Sequence, residues 1–391
     1  LVAGLIVIGA ISTVLIVEGS KRENPSAVVW EERKWDGYAF NRFGKIFISD
    51  GVVYGGAVEL GPPFSIEGQV IAVDIDNNEL LWNHSHHGPS QHSIAIYSVF
   101  VSEGIVYSGD QHGNVTAADA DTGEKIWSNS FHEGKYITRI ESIHVCQGMI
   151  FTASRNGTVV CADTETGEKY WMHEHHNESV SSVHAEDGVV YSSSLDGNVT
   201  AADADTGEKI WNRELHDVSA SSLHIQHGEL YSGGYDELIA FDVEKEEILW
   251  SHSYHEGHVL SIHAENGFVY SGGRDGYVTA VDSSDGEKVW QHRYHTDNLK
   301  SSGWSFNDGI YSIQAVDGTI YSHCSKHYVL SVENEGGLKL GIFRAWIGFV
   351  RRVEDNLGAI FFILLIVIAI IGLIFGKPKH SVEESKIDNI P

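Results

Sequence analysis

Seven times along the chain a glycine is followed three residues later by an aromatic: Gly51/Tyr54, Gly104/Tyr107, Gly148/Phe151, Gly188/Tyr191, Gly228/Tyr231, Gly267/Tyr270 and Gly318/Tyr321. A period near forty residues marks one small unit copied and packed against itself, since such a unit cannot bury its apolar faces alone. A second register accompanies the first. Trp82, Trp127, Trp171, Trp211, Trp250 and Trp290 are separated by 45, 44, 40, 39 and 40 residues, one per unit. In a chain of 391 residues this makes a single repeat array with flanking segments, not a string of ordinary domains.

Residues 180–216 show the unit most clearly. The β-rich runs VSSVHA, VVYSSS, NVTAAD and EKIWNREL are separated by the turn signals EDG, LDG and DTG. Four antiparallel strands in forty residues make a propeller blade, and a closed ring of blades leaves only short sheet edges. The predicted fold class is therefore all-β: a seven-bladed β-propeller of four-stranded antiparallel blades over residues 26–340, with terminal transmembrane helices. Six blade tryptophans serve seven blades, and the last unit reads YVLSVENEGGLKL with no tryptophan. Near the N-terminus, Glu32-Arg33-Lys34-Trp35 lines up with Glu124-Lys125-Ile126-Trp127. Residues 26–36 are accordingly predicted to supply the closing strand of the last blade, with Trp35 as its seventh structural tryptophan.

Ala117-x-Asp119-x-x-Thr122-Gly123-x-x-x-Trp127 and Ala201-x-Asp203-x-x-Thr206-Gly207-x-x-x-Trp211 resemble the tryptophan-docking motif of pyrroloquinoline-quinone-type propeller repeats. Weaker copies surround Trp82, Trp171, Trp250 and Trp290. The units are also similar to WD repeats, with His255, Val259, Ile262, Ser271 and Asp275 at the corresponding positions, although the Trp-Asp dipeptide is missing. For fold, the resemblance implies a propeller. For function, it implies that a quinone and calcium would bind in a central funnel if the chain were a dehydrogenase. No adjacent cysteines occur and no residue stands out as a calcium ligand or catalytic base. The Asp119/Asp121 and Asp203/Asp205 pairs look like half a calcium loop but lack its later glutamate.

Of the 23 histidines, two sets follow the repeat. His87, His132, His176, His216, His255 and His295 each lie five residues after a blade tryptophan. His176, His216 and His255 precede Asp196, Asp236 and Asp275 by twenty residues, which points to a hydrogen-bonded clamp between loop and turn. His144, His184, His224 and His263 share one inner-strand position, occupied by Phe47, Phe100 and Gln314 in the other blades. These four are the candidate metal ligands. The alternative is a polar channel lining, favoured because no carboxylate or cysteine shares their register.

Asp and Glu number 54 against 26 Lys and Arg, a net charge of -28, which disfavours nucleic acid and suits a salt-adapted prokaryote, an archaeon among them. Cys146, Cys161 and Cys324 have neither disulfide nor zinc spacing and read as small buried hydrophobes. Residues 1–17 are apolar, a transmembrane helix or signal anchor or the core of a signal peptide. Residues 341–356 form a predicted interfacial amphipathic helix, 357–376 a transmembrane helix long enough for the ~30 Å hydrocarbon core, and 377–391 a polar tail.

Asn83, Asn114, Asn156, Asn177 and Asn198 open glycosylation sequons. Basic residues beside the spans favour a cytoplasmic propeller, but long translocated domains escape that rule. The acidity, the sequons and the leading apolar segment favour a propeller outside the cell membrane. The resulting expectation is a membrane-anchored, non-catalytic scaffold for protein partners, with no cofactor and no catalytic residue. A quinone- and calcium-dependent dehydrogenase, or a receptor using the funnel for a small ligand or metal, are the alternatives. Sites of function are expected where the repeat is broken: residues 59–68, 87–93 and 295–304.

Overall fold

The computed structural model describes residues 27–29, 38–40, 44–59, 68–77, 79–87, 95–133, 138–293, 309–324 and 329–333. The terminal segments 1–17, 341–356, 357–376 and 377–391 lie outside them, as do Trp35 and most of the three expected breaks in the repeat. Among the described residues no helix is long and apolar enough to cross a membrane.

Seven antiparallel sheets follow one another along the chain. Blade 4 is typical, with strands Val180–Glu186, Val189–Ser194, Asn198–Asp203 and Lys209–Glu214 running from the inner edge to the outer. Each glycine of the repeat register lies in a two-residue turn between first and second strands. Asp187 and Gly188 have φ of 49° and 78°, and the six equivalent pairs match them closely. Both positions of a type I′ turn need positive φ, so this turn chemistry, repeated seven times, sets the register of every inner hairpin.

The core lies between blades. Phe151, Ala153, Val159, Cys161 and Trp171 of blade 3 form one buried cluster with Val180, Val183, Ala185, Val190, Ala202 and Ala204 of blade 4. Cys161 and Cys324 are buried as expected, whereas Cys146 is only half-buried, and burial pushes the Cys161 thiol up to about 12.

Tryptophan docking links each blade to the next. The indole N–H of Trp82 donates to Ala120 O at 2.9 Å, Trp127 to Thr164 O at 3.0 Å, Trp171 to Ala204 O at 2.9 Å and Trp250 to Ser283 O at 2.8 Å. Each acceptor belongs to the turn before the outer strand of the following blade. The motif glycine of that turn lies flat under the indole. A Cβ on Gly123, Gly167, Gly207 or Gly286 would come within 2.7, 2.8, 2.7 and 2.7 Å of Trp82, Trp127, Trp171 and Trp250 respectively. The Asp-x-x-Thr-Gly sequence is thus a seat for the neighbour's tryptophan.

The outer strands are sheet edges, and each is broken at its tryptophan. Trp171 pairs with Cys161 and Lys169 with Ala162, so Tyr170 is the extra residue of a bulge. Ile126 and Ile210 are bulged in the same way. These bulges turn apolar residues outward and interrupt the edge that would otherwise template strand addition.

Ring closure uses a strand from within the expected segment 26–36. The closing strand is Ala27–Val29, paired antiparallel with Val329–Glu333. Val28 faces Ser331, the position where Trp250 faces Ala240 in blade 5. In this described strand the docking register falls on Val28, and Trp35 lies outside the described residues. Tyr38–Phe40 adds a fifth strand to blade 1 along Val52–Glu59, which the repeat pattern does not contain.

Two glycines separate docking from turn geometry. Gly207 and Gly188 both have positive φ, but a Cβ at Gly188 meets nothing within 4 Å. Gly188→Ala is expected to cost about 1 kcal/mol of backbone strain. Gly207→Ala adds the clash with Trp171 and is expected to cost about 2 to 4 kcal/mol in urea unfolding.

Candidate functional site

Strand direction alternates within each blade, so hairpin turns and the turns before the outer strands share one face of the ring. Backbone bonds such as Ala204 N to Gly188 O confirm it. This hairpin face carries the exposed acids Asp50, Asp76, Glu103, Asp121, Glu165, Asp187, Asp205, Glu244, Asp285 and Asp317. The opposite, loop face holds the loops between blades and the turns between second and third strands, as Leu195 N to Ser179 O and Arg274 N to His258 O show.

The loop-face histidines are clamps. His255 lies 3.1 Å from Asp275 through Nδ1 and 2.9 Å from Ser271 Oγ through Nε2. A carboxylate can only accept, so Nδ1 carries the proton and Nε2 accepts from the serine. His176 repeats the serine bond to Ser192 at 2.8 Å, while Asp196 stands 3.7 Å away, beyond hydrogen-bond reach. His216 bonds Ser232 at 2.9 Å. Its acidic partner is Glu237 at 3.3 Å, one residue beyond the expected Asp236, because the turn of blade 5 lacks the glycine that follows the acid elsewhere. His132 has no acid at all and bonds Thr152 at 2.8 Å and Thr158 at 2.6 Å. Glycines again make room: a Cβ at Gly273 would fall 2.2 Å from His255 Nδ1.

The inner histidines meet around the axis. Ring centroids of His144 and His184 are 3.8 Å apart, His184 and His224 4.6 Å, and His224 and His263 4.7 Å. Phe100 continues the arc at 5.0 Å from His144, and Phe47 lies 4.5 Å from Phe100. The position also joins blades. Ala185 N–H donates to His144 Nδ1 at 3.2 Å and Ile225 N–H to His184 Nδ1 at 3.4 Å, each donor in the next blade. Gln314 closes the ring by accepting from Ile48 N at 2.8 Å and donating to Ile48 O at 2.9 Å.

Packed among neighbours, the imidazoles are held neutral. Burial lowers His144 to about 3 and His263 to about 4, and lowers His184 and His224 well below the usual range. A neutral imidazole whose Nδ1 accepts a hydrogen bond carries its proton on Nε2 and offers no second lone pair. His144 and His184 in this state are donors and not metal ligands. Among the described residues no group of three or more His, Cys, Asp or Glu is placed to hold a metal ion.

The motif aspartates are also consumed by folding. Asp119 Oδ1 accepts from Thr122 N and Oγ1, both at 2.8 Å, which holds its carboxyl below the usual range. Of the sequon asparagines, Asn114 bonds Asp110, Asn156 accepts from Thr158, and Asn198 accepts from Asn212. Asn83 is half-buried on an outer strand, and Asn177 is exposed on the loop after His176.

What sequence reasoning missed is a run of departures on the loop face. One turn position reads Gln111, Arg155, Leu195, Tyr235 and Arg274 in blades 2 to 6. Leu195 and Tyr235 are 44% and 52% exposed, and Val218 on the intervening loop is 61% exposed. Tyr235 packs edge-on against His258 at 5.2 Å, and His258 Nδ1 lies 3.0 Å from Ser221 Oγ and 3.2 Å from Ser219 Oγ. The signal was present in the sequence as non-repeating residues at a repeating position.

These features define a quinone-type repeat propeller whose recurring polar positions are occupied by its own turns and joints. The chain belongs to the family described as outer membrane protein assembly factor BamB, matched over residues 27–145, 141–229 and 195–338. No curated protein matches it. Among solved structures, BamB from Moraxella catarrhalis is similar at 16% identity and a TM-score of 0.53, covering 80% of this chain and 97% of that one. The WD40 propeller domain of Doa1 is similar at 15% identity and a TM-score of 0.62, covering 80% and 98%. The computationally designed protein Ika8 matches at 19% identity and 0.57, covering 79% and 100%. At these identities the likeness speaks for the fold.

The histidine joints predict a pH dependence. Burial lowers His132 and His144 to about 3 and His176 and His263 to about 4, whereas an unfolded histidine titrates near 6.5. Below that pH the unfolded chain binds more protons, so stability is complete above pH 6.5 and lost as pH falls towards 4. Each such histidine removes about 1.4 kcal/mol per pH unit in that window. Urea unfolding at pH 7.5, 6.5, 5.5 and 4.5 should show a steep loss over the last two steps; a flat profile down to pH 4.5 contradicts the buried-neutral assignment.

Proposed function

We propose that this chain is a non-catalytic assembly scaffold that binds a protein partner through the loop face of blades 4 to 6, held at the outer side of the cell membrane by its terminal apolar segments. The observation that carries the reading is the exposed apolar strip of Leu195, Val218 and Tyr235. It sits on a rigid ring whose histidines and motif aspartates are committed to internal bonds. Exposed aliphatic and aromatic residues grouped on one face of a charged protein are the usual composition of a protein contact. Arg155 and Arg274 occupy the same turn position on either side of the strip, with Glu178, Asp217 and Glu256 on the loops between. The hairpin face, by contrast, is lined with exposed acids. Membership of the BamB family supports an assembly role, since that family is described by one. The membrane-anchored, external placement rests on the two apolar segments, the acidity and the exposed Asn177 sequon.

A photo-crosslinking residue at Val218 should capture a protein partner in the native membrane, and one at Glu244 on the hairpin face should not. Tyr235→Glu should abolish capture from Val218 while leaving the unfolding midpoint unchanged. Equal capture from both faces, or none from Val218, contradicts the reading. Stoichiometric binding of pyrroloquinoline quinone with calcium to the purified chain would instead favour a dehydrogenase.

A further inference from the structure

The axial ring has a cationic departure just above it. Counting two residues back from the ring position gives Ser98, Ser142, Ser182, Ser222, Ser261 and Ser312 in blades 2 to 7, but Lys45 in blade 1. Three of these serines join neighbouring blades. Ser222 Oγ donates to Val259 O at 2.9 Å, Ser312 Oγ donates to Ile46 O at 3.0 Å, and Ser261 Oγ accepts from Ile313 N at 2.9 Å. Lys45 is tied by its backbone, its N–H donating to Tyr97 O at 2.9 Å. Its ammonium makes no hydrogen bond among the described residues. Burial lowers it to about 8 against the opposing pull of Glu141.

Glu141 does not neutralise it alone, because the same carboxylate is held by Arg139 through Nε at 2.8 Å and Nη2 at 2.5 Å. Arg139 in turn lies over the Tyr97 ring at 4.3 Å. Lys45, Arg139 and Glu141 thus bring together two cations and one carboxylate. Lys45 is also close enough to His184 for its charge to add to the lowering of that imidazole. Below it, His144 and His184 present Nε2–H, since their Nδ1 atoms accept from Ala185 and Ile225 and the two ring nitrogens point in widely divergent directions. These donors are turned away from the strands, and with the ammonium beside them they can all give hydrogen bonds to one acceptor.

We propose that the axial channel binds a small monovalent anion between the Lys45 ammonium and the Nε2–H groups of His144 and His184. Charge-assisted N–H bonds to an anion are the strong class of hydrogen bond, and a cation with neutral imidazole donors recognises negative charge while repelling metal ions. The site is a joint as well as a pocket, because the same imidazoles link blades 3, 4 and 5. Occupancy should therefore stabilise the folded ring.

Chloride NMR linewidths and histidine nitrogen shifts, both recorded on the purified full chain in solution, test this. Saturable chloride broadening is expected, with His144 and His184 as Nε2–H tautomers, and Lys45→Met should weaken binding at least tenfold. The control Arg213→Met, at an exposed ion pair with Glu246, should leave binding unchanged. Chloride binding unaffected by Lys45→Met identifies an adventitious ion only and overturns the proposal. Nδ1–H tautomers, or zinc that shifts these histidines at stoichiometric concentration, overturn it as well. The tautomers of the native chain decide the matter even if the Lys45 variant fails to fold.

Discussion

The docking of each outer-strand tryptophan onto the following blade is the constraint from which the rest of this structure follows. A four-stranded blade alone leaves both faces apolar. Here the indole of one blade finishes the core of the interface by lying on a glycine of the next and donating to its turn carbonyl. Trp171 is 9% exposed and Trp82 and Trp250 are 7% exposed, so each makes a largely buried contact as well as a hydrogen bond. Glycine suits the seat for two separate reasons, its positive φ and the absence of room for a Cβ beneath the docked indole. Blade 5 shows the variation the design tolerates. Its turn carries Glu246 at φ 55° in place of glycine, and Trp211 packs on Phe241 instead, while Arg213 and Glu246 pair across the joint.

The parts legible in the sequence are those where a residue type is dictated by local backbone geometry. Glycine at the second place of a type I′ turn, and glycine beneath an indole, are hard to replace without strain, so the first recurs in all seven repeats and the second at Gly123, Gly167, Gly207 and Gly286, and together they reveal the fold. The closing strand was legible as a segment, and Ala27–Val29 lies within it. Its pairing is set by the Val329–Glu333 strand, and a match of Glu32-Arg33-Lys34-Trp35 to another blade carries no information about which residue faces Ser331. The clamp of His216 shifted from Asp236 to Glu237 for a similar reason, as a turn can bring either of two adjacent carboxylates to the imidazole. The inner histidines were readable as a ring, but not as joints, since the atom each Nδ1 accepts from lies one residue beyond the ring position in another blade.

Acids are unevenly placed along the ring axis. The hairpin face and its turns hold most of the exposed acids, with Lys125, Lys169, Lys245 and Lys288 among them, while Lys45, Arg139, Arg155 and Arg274 stand at the opposite end. Hairpin turns favour Asp, Asn and Glu beside glycine for conformational reasons, so much of the acidity at that face is a by-product of turn chemistry repeated seven times. The loop face is freer, because its turns are fixed by the histidine clamps beneath them. That leaves the residue at the tip of each turn unconstrained, and there Leu195, Tyr235, Arg155 and Arg274 differ from blade to blade. Rigid support from buried clamps and variable tips above them is an arrangement suited to presenting a contact surface.

Native-state hydrogen exchange of the indole N–H groups of Trp82, Trp127, Trp171 and Trp250 tests the central claim most directly. If each tryptophan is a joint in a closed ring, none can open without its neighbour, and all four should exchange with one free energy and one denaturant dependence, those of global unfolding. Exchange of individual indoles at distinct, lower free energies would mean that blades open independently and that docking is packing rather than the constraint on which the ring depends.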